Sequence, residues 1–241
     1  MAINVDLVYK TVLLILNKEQ RGYLTPDEFN KVANQVQLEL FEKYFEDLNQ
    51  LLRVAEVDDD YADRINTLQD NIAVFEVSNP LTFNGTTWTI NTLLYPQIHR
   101  LGSIQYEPIG NVDPVRLQET TQQEFNLILR SKLTKPSKTW PVFVKRGVNY
   151  FIYPSTITDN IQAYYVRKPV EPKWDYEVNP NTGAYEFTPV GSGSVNFELS
   201  DIEQTEVVLK ILQYTGVIIR DPQIIQTAAQ LAAAEDVNEK S

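Results

Sequence analysis

The feature that most constrains the fold is a strong helix start at Thr25–Glu28 with a long amphipathic run behind it. Thr25 is a preferred N-cap residue, Pro26 suits the first helical position, and Glu28 can close a capping box with Thr25. The pattern predicts one helix from Pro26 to Leu52, about 40 Å long at the standard rise per residue. Its apolar positions, which recur at helical spacing, are Phe29, Val32, Ala33, Val36, Leu40, Tyr44, Leu48 and Leu51.

Shorter helical patterns lie towards both ends of the chain. Asn4 can cap a first helix, and a third helix is expected from about Tyr61 to Asp70. A second capping box at Ser200–Glu203 opens a helix that is expected to end at Gly216, and a last helix is expected from Asp221–Pro222 onwards. The predicted buried positions are Val5, Val8, Tyr9, Val12 and Leu16 in the first of these helices, Val207, Val208, Ile211 and Leu212 in the helix after Ser200, and Ile224, Ile225, Ala228 and Leu231 in the last.

The middle of the chain has the residue pattern of β-strands. Asn84-Gly85 lies between two β-favouring runs and predicts a hairpin. Val142–Val144 and Tyr150–Tyr153 read as two strands joined through Gly147. Residues 161–166 add a strand in which Ile161, Ala163 and Tyr165 face one way.

One helix is expected within this middle region, at about residues 113–131, with Asp113 at its start and Pro114 in the first helical position. The sequence therefore predicts an α+β fold in which N- and C-terminal helices pack around a central antiparallel β-rich region. We expect a helical region at 1–75, a β-rich region at 76–199 and a C-terminal helical region at 200–241, integrated into one domain.

The chain has no cysteine and a single histidine, His99, and this excludes many chemistries. Disulfides and thiolate metal sites are impossible, as is a zinc site built on several histidines of one chain. His99 is the only histidine available to a Ser-His-Asp arrangement, and it is better explained as a strand or surface residue. Gly191–Ser194 is a turn rather than a phosphate loop, because no Lys follows it.

Acidic residues offer a second route to catalysis, that of an enzyme that degrades a cell wall or another carbohydrate. Paired carboxylates can hydrolyse glycosides, and the chain has 13 Tyr and 3 Trp that could line a cleft. The acids cluster, however, on one helix (Glu39, Glu42 and Glu46) or in the run Asp58–Asp60, which is typical of a solvated face. No catalytic, cofactor-binding or metal-binding residue is predicted, and we do not expect an enzyme.

Asn17–Glu28 resembles a calcium-binding loop and supports the alternative of a calcium-binding regulator. The ligand positions would be filled by Asn17, Glu19, Thr25 and Glu28, with Gly22 at the turn. Arg21 stands where a ligand oxygen is needed, and only two carboxylates would face the ion. Because the helix start already explains Thr25, Pro26 and Glu28, a tight turn between two helices is the better interpretation.

Charge is distributed unevenly along the chain. The formal net charge is −11, yet residues 130–173 carry nine basic and two acidic side chains. Basic residues there interleave with Trp140, Phe143 and Tyr150; they are Lys132, Lys135, Lys138, Lys145 and Arg146. This segment could contact nucleic acid, as in a connector that binds a DNA end, or the acidic surface of a neighbour, including another copy of the chain. The second interpretation fits an acidic protein better.

Three stretches resemble one known family. They are "NKEQRGYLTPDEF" at Asn17–Phe29, "PVFVKRGVNYFIYPSTITDNIQAYYVRKPVEPKW" at Pro141–Trp174 and "FELSDIEQTEVVLKILQYTGVIIRDPQIIQTAAQ" at Phe197–Gln230. In this order they are similar to virion neck proteins of tailed phages, especially crAss-like phages and related podoviruses. None of the three is a catalytic motif.

The resemblance implies a structural protein of the virion. Such proteins form homo-oligomeric rings, commonly of twelve copies, that stack beneath the portal protein or along the short tail. Partners would be the portal and other neck and tail ring proteins, and genomic DNA would pass through the lumen without specific binding. The resemblance implies no cofactor, and the protein would fold in the host-cell cytoplasm. No run of about 18 apolar residues predicts a transmembrane helix, and the first residues do not read as a secretory signal.

Overall fold

The computed structural model describes residues 2–18, 23–53, 59–108, 110, 113–218, 227, 230 and 233. It confirms the α+β class, with helices towards both ends of the sequence and a β-rich region between them. The chain divides into two compact units. The first, here called the helical unit, contains Met1–Asn71 and Pro169–Ser241, and the second, the sheet unit, contains Ile72–Lys168. The helical unit is thus built from two separate stretches of chain.

Five α-helices with continuous bounds lie in the described residues: α1 Val5–Lys18, α2 Pro26–Leu51, α3 Asp59–Ala73, α4 Gln122–Arg130 and α5 Gln204–Ile218. The start of α2 is the capping box expected at Thr25, and its length is within one residue of the prediction. Asn4 caps α1 by accepting from the N–H groups of Asp6 and Leu7 at 2.9 and 3.2 Å. The helix expected from Asp221 lies outside the described residues, except that residues 227, 230 and 233 are helical.

Eight strands form one sheet in the sheet unit: β1 Glu76–Phe83, β2 Trp88–Ile90, β3 Ile98–Tyr106, β4 Val115–Arg116, β5 Gln118–Glu119, β6 Val142–Arg146, β7 Asn149–Tyr153 and β8 Ile161–Arg167. Their order is β4-β3-β8-β1-β2-β7-β6-β5, and every pair is antiparallel except β5–β6. Two further strands, β9 Tyr176–Val178 and β10 Tyr185–Phe187, form a separate hairpin in the helical unit.

The eight-stranded sheet closes on itself through Val115–Glu119. Because β4 and β5 are the first and last strands of the order but only one residue apart in sequence, this segment joins both edges. Leu117 N–H donates to the carbonyl of Ile104 at 2.8 Å on one side, and Gln118 N–H donates to the carbonyl of Pro141 at 3.0 Å on the other. The core inside contains Trp88, Leu117 and the predicted inward face of β8, Ile161, Ala163 and Tyr165.

Both predicted hairpins are confirmed. Asn84 accepts from the N–H groups of Thr86 and Thr87, and Gly85 takes the positive φ of +93° that the β1–β2 turn requires. Gly147 has a φ of +61° between β6 and β7. The antiparallel register of β6 and β7 therefore follows from local turn chemistry.

The predicted helix at 113–131 is wrong over about its first half, residues 113–121. Residues 115–119 form β4 and β5 instead, and α4 begins at Gln122. Thr121 is the N-cap: its hydroxyl accepts from the N–H of Glu124 at 3.3 Å, and Glu124 accepts from the N–H of Thr121 at 2.9 Å. Asp113-Pro114 is a weaker start signal, since the next N–H groups bond across the sheet.

The start and end of α5 also differ from the prediction. Ser200 makes no side-chain cap, and Asp201–Glu203 form a 3-10 turn before the helix begins. Glu203, the expected capping partner, instead accepts a hydrogen bond from the Tyr44 hydroxyl on α2. The helix continues through Gly216 to Ile218. Tertiary contacts with α2 and the apolar residues after Gly216 outweigh these local signals.

Candidate functional site

Among the described residues, those considered for catalysis or metal binding lie on separate elements or take part in structural contacts. His99 lies half-buried in β3. Glu39 forms an ion pair with Lys210 at 2.7 Å and accepts from the Tyr214 hydroxyl at 3.1 Å, which ties α2 to α5. Burial, followed by the nearby charge of Glu39, raises the pKa of Tyr214. In the described part of the chain, no group of three or more His, Asp or Glu side chains could hold a metal ion.

The calcium-loop candidate shares its last ligand with a helix cap. Residues 19–22, which include Glu19, Arg21 and Gly22, lie outside the described residues. The Glu28 carboxylate accepts from the N–H of Thr25 at 3.0 Å and from its hydroxyl at 2.7 Å. These hydrogen bonds lower the pKa of Glu28. A cation at Glu28 would have to compete with both donors.

The basic segment is organised around α4, which packs on the outside of the β6–β7 hairpin. The Phe125 ring lies 4.2 Å from the Tyr153 ring, and Phe125 is buried against Val142 and Val144. Leu127 and Leu129 remain exposed on the same helix. The hairpin therefore supports α4 as an outer layer of the sheet unit.

Cations lie at both ends of α4. At its start, Arg146 donates to the Gln122 side chain, and its guanidinium lies 4.4 Å from the centre of the Phe151 ring. Beyond its end, Lys132, Lys135 and Lys138 are exposed in the connection to β6. The 34 residues at positions 125–158 contain six basic residues and no Asp or Glu. The acidic residues that flank this stretch directly are Glu124, in the first turn of α4, and Asp159.

Two of the three aromatic residues predicted to interleave with these cations are in the core instead. Phe143 and Tyr150 are each only 2% exposed, because inward positions alternate with outward ones along β6 and β7. Trp140, in contrast, is 79% exposed, and Leu133 is 97% exposed. Sequence reasoning missed Leu133, although an apolar residue between lysines and outside any periodic pattern was an available signal.

The connection that carries Leu133 and Trp140, residues 131–140, is held by its own hydrogen bonds. Trp140 N–H donates to the carbonyl of Ser137 at 3.1 Å, and Ser137 N–H donates back to the carbonyl of Trp140 at 3.3 Å. The Thr134 hydroxyl donates to the Ile128 carbonyl at 3.3 Å, which anchors the loop to the end of α4. We call this segment the basic loop. Leu133 and Trp140 therefore lie on a backbone whose conformation is fixed by local hydrogen bonds.

The helical unit has the opposite charge. It carries 11 basic and 26 acidic side chains, a formal net charge of −15, whereas the sheet unit carries ten basic and six acidic ones, a net of +4. The uneven distribution of charge along the sequence therefore also separates the two units of the fold. Oppositely charged surfaces on one chain favour association between unlike surfaces of different molecules.

A groove of about 580 Å³ opens in the helical unit between the C-terminal half of α2, α3 and the start of α5. Its apolar lining includes Leu40, Leu51, Leu68 and Ile202. Its charged lining consists of Asp47, Glu203 and Glu206 with Lys43 and Arg64, and Lys43 pairs with Glu206 at 3.0 Å. We call this the α2–α5 groove; it depends on contacts between distant stretches of chain and had no sequence signal.

A second groove, of about 540 Å³, lies beside α1 and the β9–β10 hairpin. Tyr9 and Trp174 line it, with ring centres 4.5 Å apart, and the Trp174 indole N–H donates to Asp6 at 3.0 Å. Asn30 fixes the backbone of Trp174 by accepting from its N–H at 2.7 Å and donating to its carbonyl at 3.1 Å. These aromatic residues thus serve the core of the helical unit.

Comparisons with protein-family models and with curated proteins found no match. No helix in the described residues combines the length and apolar character that a membrane span needs.

Proposed function

We propose that this chain is a structural virion protein that forms a ring in the portal-tail neck or short tail of a tailed phage. The three stretches that resemble neck proteins supply the biological assignment. The structural observation that supports assembly is that one chain carries two units of opposite charge. The helical unit has a formal net charge of −15 and the sheet unit one of +4, and the basic loop of the sheet unit exposes Leu133 and Trp140. A ring needs two different complementary surfaces on each subunit, and unlike units of opposite charge provide them.

The ring would be a homo-oligomer, of twelve copies by the resemblance, with the portal and other neck or tail ring proteins as neighbours. Genomic DNA would pass through its lumen without specific binding. The predominance of acidic side chains suits that role, because DNA binding arises where phosphates are neutralised by Lys and Arg. The protein would act without catalysis and without a cofactor.

Native mass is the direct test of this function. A closed oligomer near twelve times the 27.7 kDa chain, unchanged by calcium or a chelator, is the expected result. If the purified chain is monomeric, it should join a ring when the portal protein is added. A chain that stays monomeric at high concentration and does not co-assemble with the portal contradicts the proposal. A monomer that gains mass with calcium would favour the calcium-binding regulator.

A connector that contacts DNA is the second candidate, and one observation favours it. The acid-free stretch from Phe125 to Thr158 presents lysines beside the exposed ring of Trp140, a combination that suits phosphates and unstacked bases. This function predicts DNA binding that weakens steeply with salt. Titration of the chain with single- and double-stranded DNA at two salt concentrations separates the candidates, since the ring protein should bind neither tightly.

A further inference from the structure

The basic loop has the features of a protein-docking segment. Leu133 and Trp140 are 97% and 79% exposed, although local hydrogen bonds hold the backbone between them. Lys132, Lys135 and Lys138 surround them in the sequence. A surface that meets such a loop must offer apolar contacts for the two large side chains and carboxylates for the lysines.

The α2–α5 groove offers both. Leu40, Leu51 and Leu68 contribute apolar lining, and Ile202 at the groove is itself 87% exposed. Asp47, Glu203 and Glu206 bring carboxylates to the same lining, beside Lys43 and Arg64, and Lys43 pairs with Glu206 at 3.0 Å. The charge match with the lysines of the loop therefore comes mainly from the net −15 of the whole helical unit. A volume of about 580 Å³ is large enough to receive a leucine and an indole side chain.

We propose that the basic loop of one copy docks in the α2–α5 groove of a neighbouring copy, and this inference rests on the proposed function. The occupant is a second copy of the chain because this chain already carries a segment with the apolar and cationic groups that the acidic helical unit can bind. Loop and groove are different surfaces, so each copy can give one contact and receive one. Such a head-to-tail interface repeats around a ring.

The absence of cysteine makes the contact testable by site-specific cross-linking. The double variant Leu133→Cys/Ile202→Cys places one thiol in the basic loop and one at the groove, both at positions that are exposed in the chain. With a short bismaleimide, each copy should become linked to two neighbours and give a ladder that extends to the full ring. Each single variant should give no species larger than a dimer.

A matched control uses another exposed leucine of the sheet unit. Leu93 is 94% exposed in the connection after β2, outside the basic loop. Leu93→Cys/Ile202→Cys should not give the ladder. Trp140→Ala should lower the cross-linking yield of the Leu133/Ile202 pair and weaken self-association by at least about tenfold, as expected for a central aromatic contact, while Leu93→Ala should change neither.

Three outcomes overturn the inference, and they are distinguishable. If native mass shows a ring but Leu133→Cys/Ile202→Cys cross-links no better than the Leu93 control, the proposed function survives and this interface is wrong. If the chain neither assembles alone nor joins the portal, the proposed function fails together with the interface. If Trp140→Ala leaves assembly intact but abolishes DNA binding, the basic loop is a nucleic-acid surface instead.

Discussion

Gln37 should be one of the most important side chains for the stability of the helical unit. It lies in α2 with no exposed surface. Its side-chain N–H donates to the carbonyl of Val170 at 2.7 Å, and its side-chain carbonyl accepts from the N–H of Glu198 at 2.9 Å. Both partners belong to the second stretch of chain in this unit. One amide therefore joins α2 to a segment more than 130 residues away.

The substitution Gln37→Leu keeps a side chain of similar size but removes both hydrogen bonds. The carbonyl of Val170 and the N–H of Glu198 would then be left without this partner. Both hydrogen bonds are only partly buried, and Val170 is itself 50% exposed, so water can replace part of what is lost. An unsatisfied group costs about 1–3 kcal/mol when it is fully buried, so we expect the free energy of unfolding to fall by about 1–3 kcal/mol for the two bonds together.

Urea denaturation followed by the helical circular dichroism signal measures this change. Gln35→Leu is the matched control, because Gln35 is on the same helix but exposed. Its effect should stay within about 0.5 kcal/mol. If Gln37→Leu proves as stable as Gln35→Leu, the two stretches of the helical unit are not joined through this amide, and the reasoning is refuted.

Three further results are expected. Glu28→Gln should destabilise the protein at pH 7 but progressively less under acid. Hydrogen bonds lower the pKa of Glu28 in the folded chain below the unfolded value of 4.5. The stability that the Glu28 carboxylate contributes is therefore present above pH 4.5 and is lost as the pH falls through the folded pKa. Urea midpoints at neutral and at acid pH test this, and a constant difference would contradict it. Millimolar calcium should leave the thermal midpoint unchanged, whereas a clear rise would restore Asn17–Glu28 as a calcium site. Gly102→Ala should destabilise the sheet unit by about 1–3 kcal/mol, because the added Cβ would lie 3.0 Å from the carbonyl oxygen of Tyr164. Urea denaturation measures this change, with Ser103→Ala as the control. Equal effects of the two substitutions would contradict the prediction.

The elements that sequence predicted well are those with local start and turn signals. The capping box at Thr25 set the start of α2, and Asn84-Gly85 set the β1–β2 hairpin. Such signals act through hydrogen bonds between residues two or three positions apart. They can be recognised without knowledge of the rest of the fold.

The features that sequence missed depend on distant partners. Gln37 interrupts the apolar stripe of α2 and looks like a surface residue until Val170 and Glu198 are placed beside it. The parallel pair β5–β6 needs the whole sheet to close before residues 118–119 have a partner. The predicted helix at Asp113 failed for this reason.

The charge of the basic loop could be predicted from the sequence, but the aromatic residues at its surface could not. The excess of cations in residues 130–173 is a property of the sequence, and this range includes the basic loop. Which aromatic residues would accompany those cations depended on the inward and outward alternation of β6 and β7, which removed Phe143 and Tyr150 from the surface. The α2–α5 groove depended on helix packing and had no counterpart in the sequence.

Charge also favours one mode of assembly over the others. Two helical units docked on each other would bring together two net charges of −15, and two sheet units would bring together two of +4. Only a contact between unlike units lowers this repulsion, and the head-to-tail contact of the proposed ring is of that kind. Because long-range charge acts mainly on encounter, salt should slow assembly of the proposed ring strongly. A finished ring should resist salt far better, since the apolar contacts proposed for Leu133 and Trp140 would not depend on screening. An association rate that ignores ionic strength would mean that the opposite charges of the two units play no part in assembly.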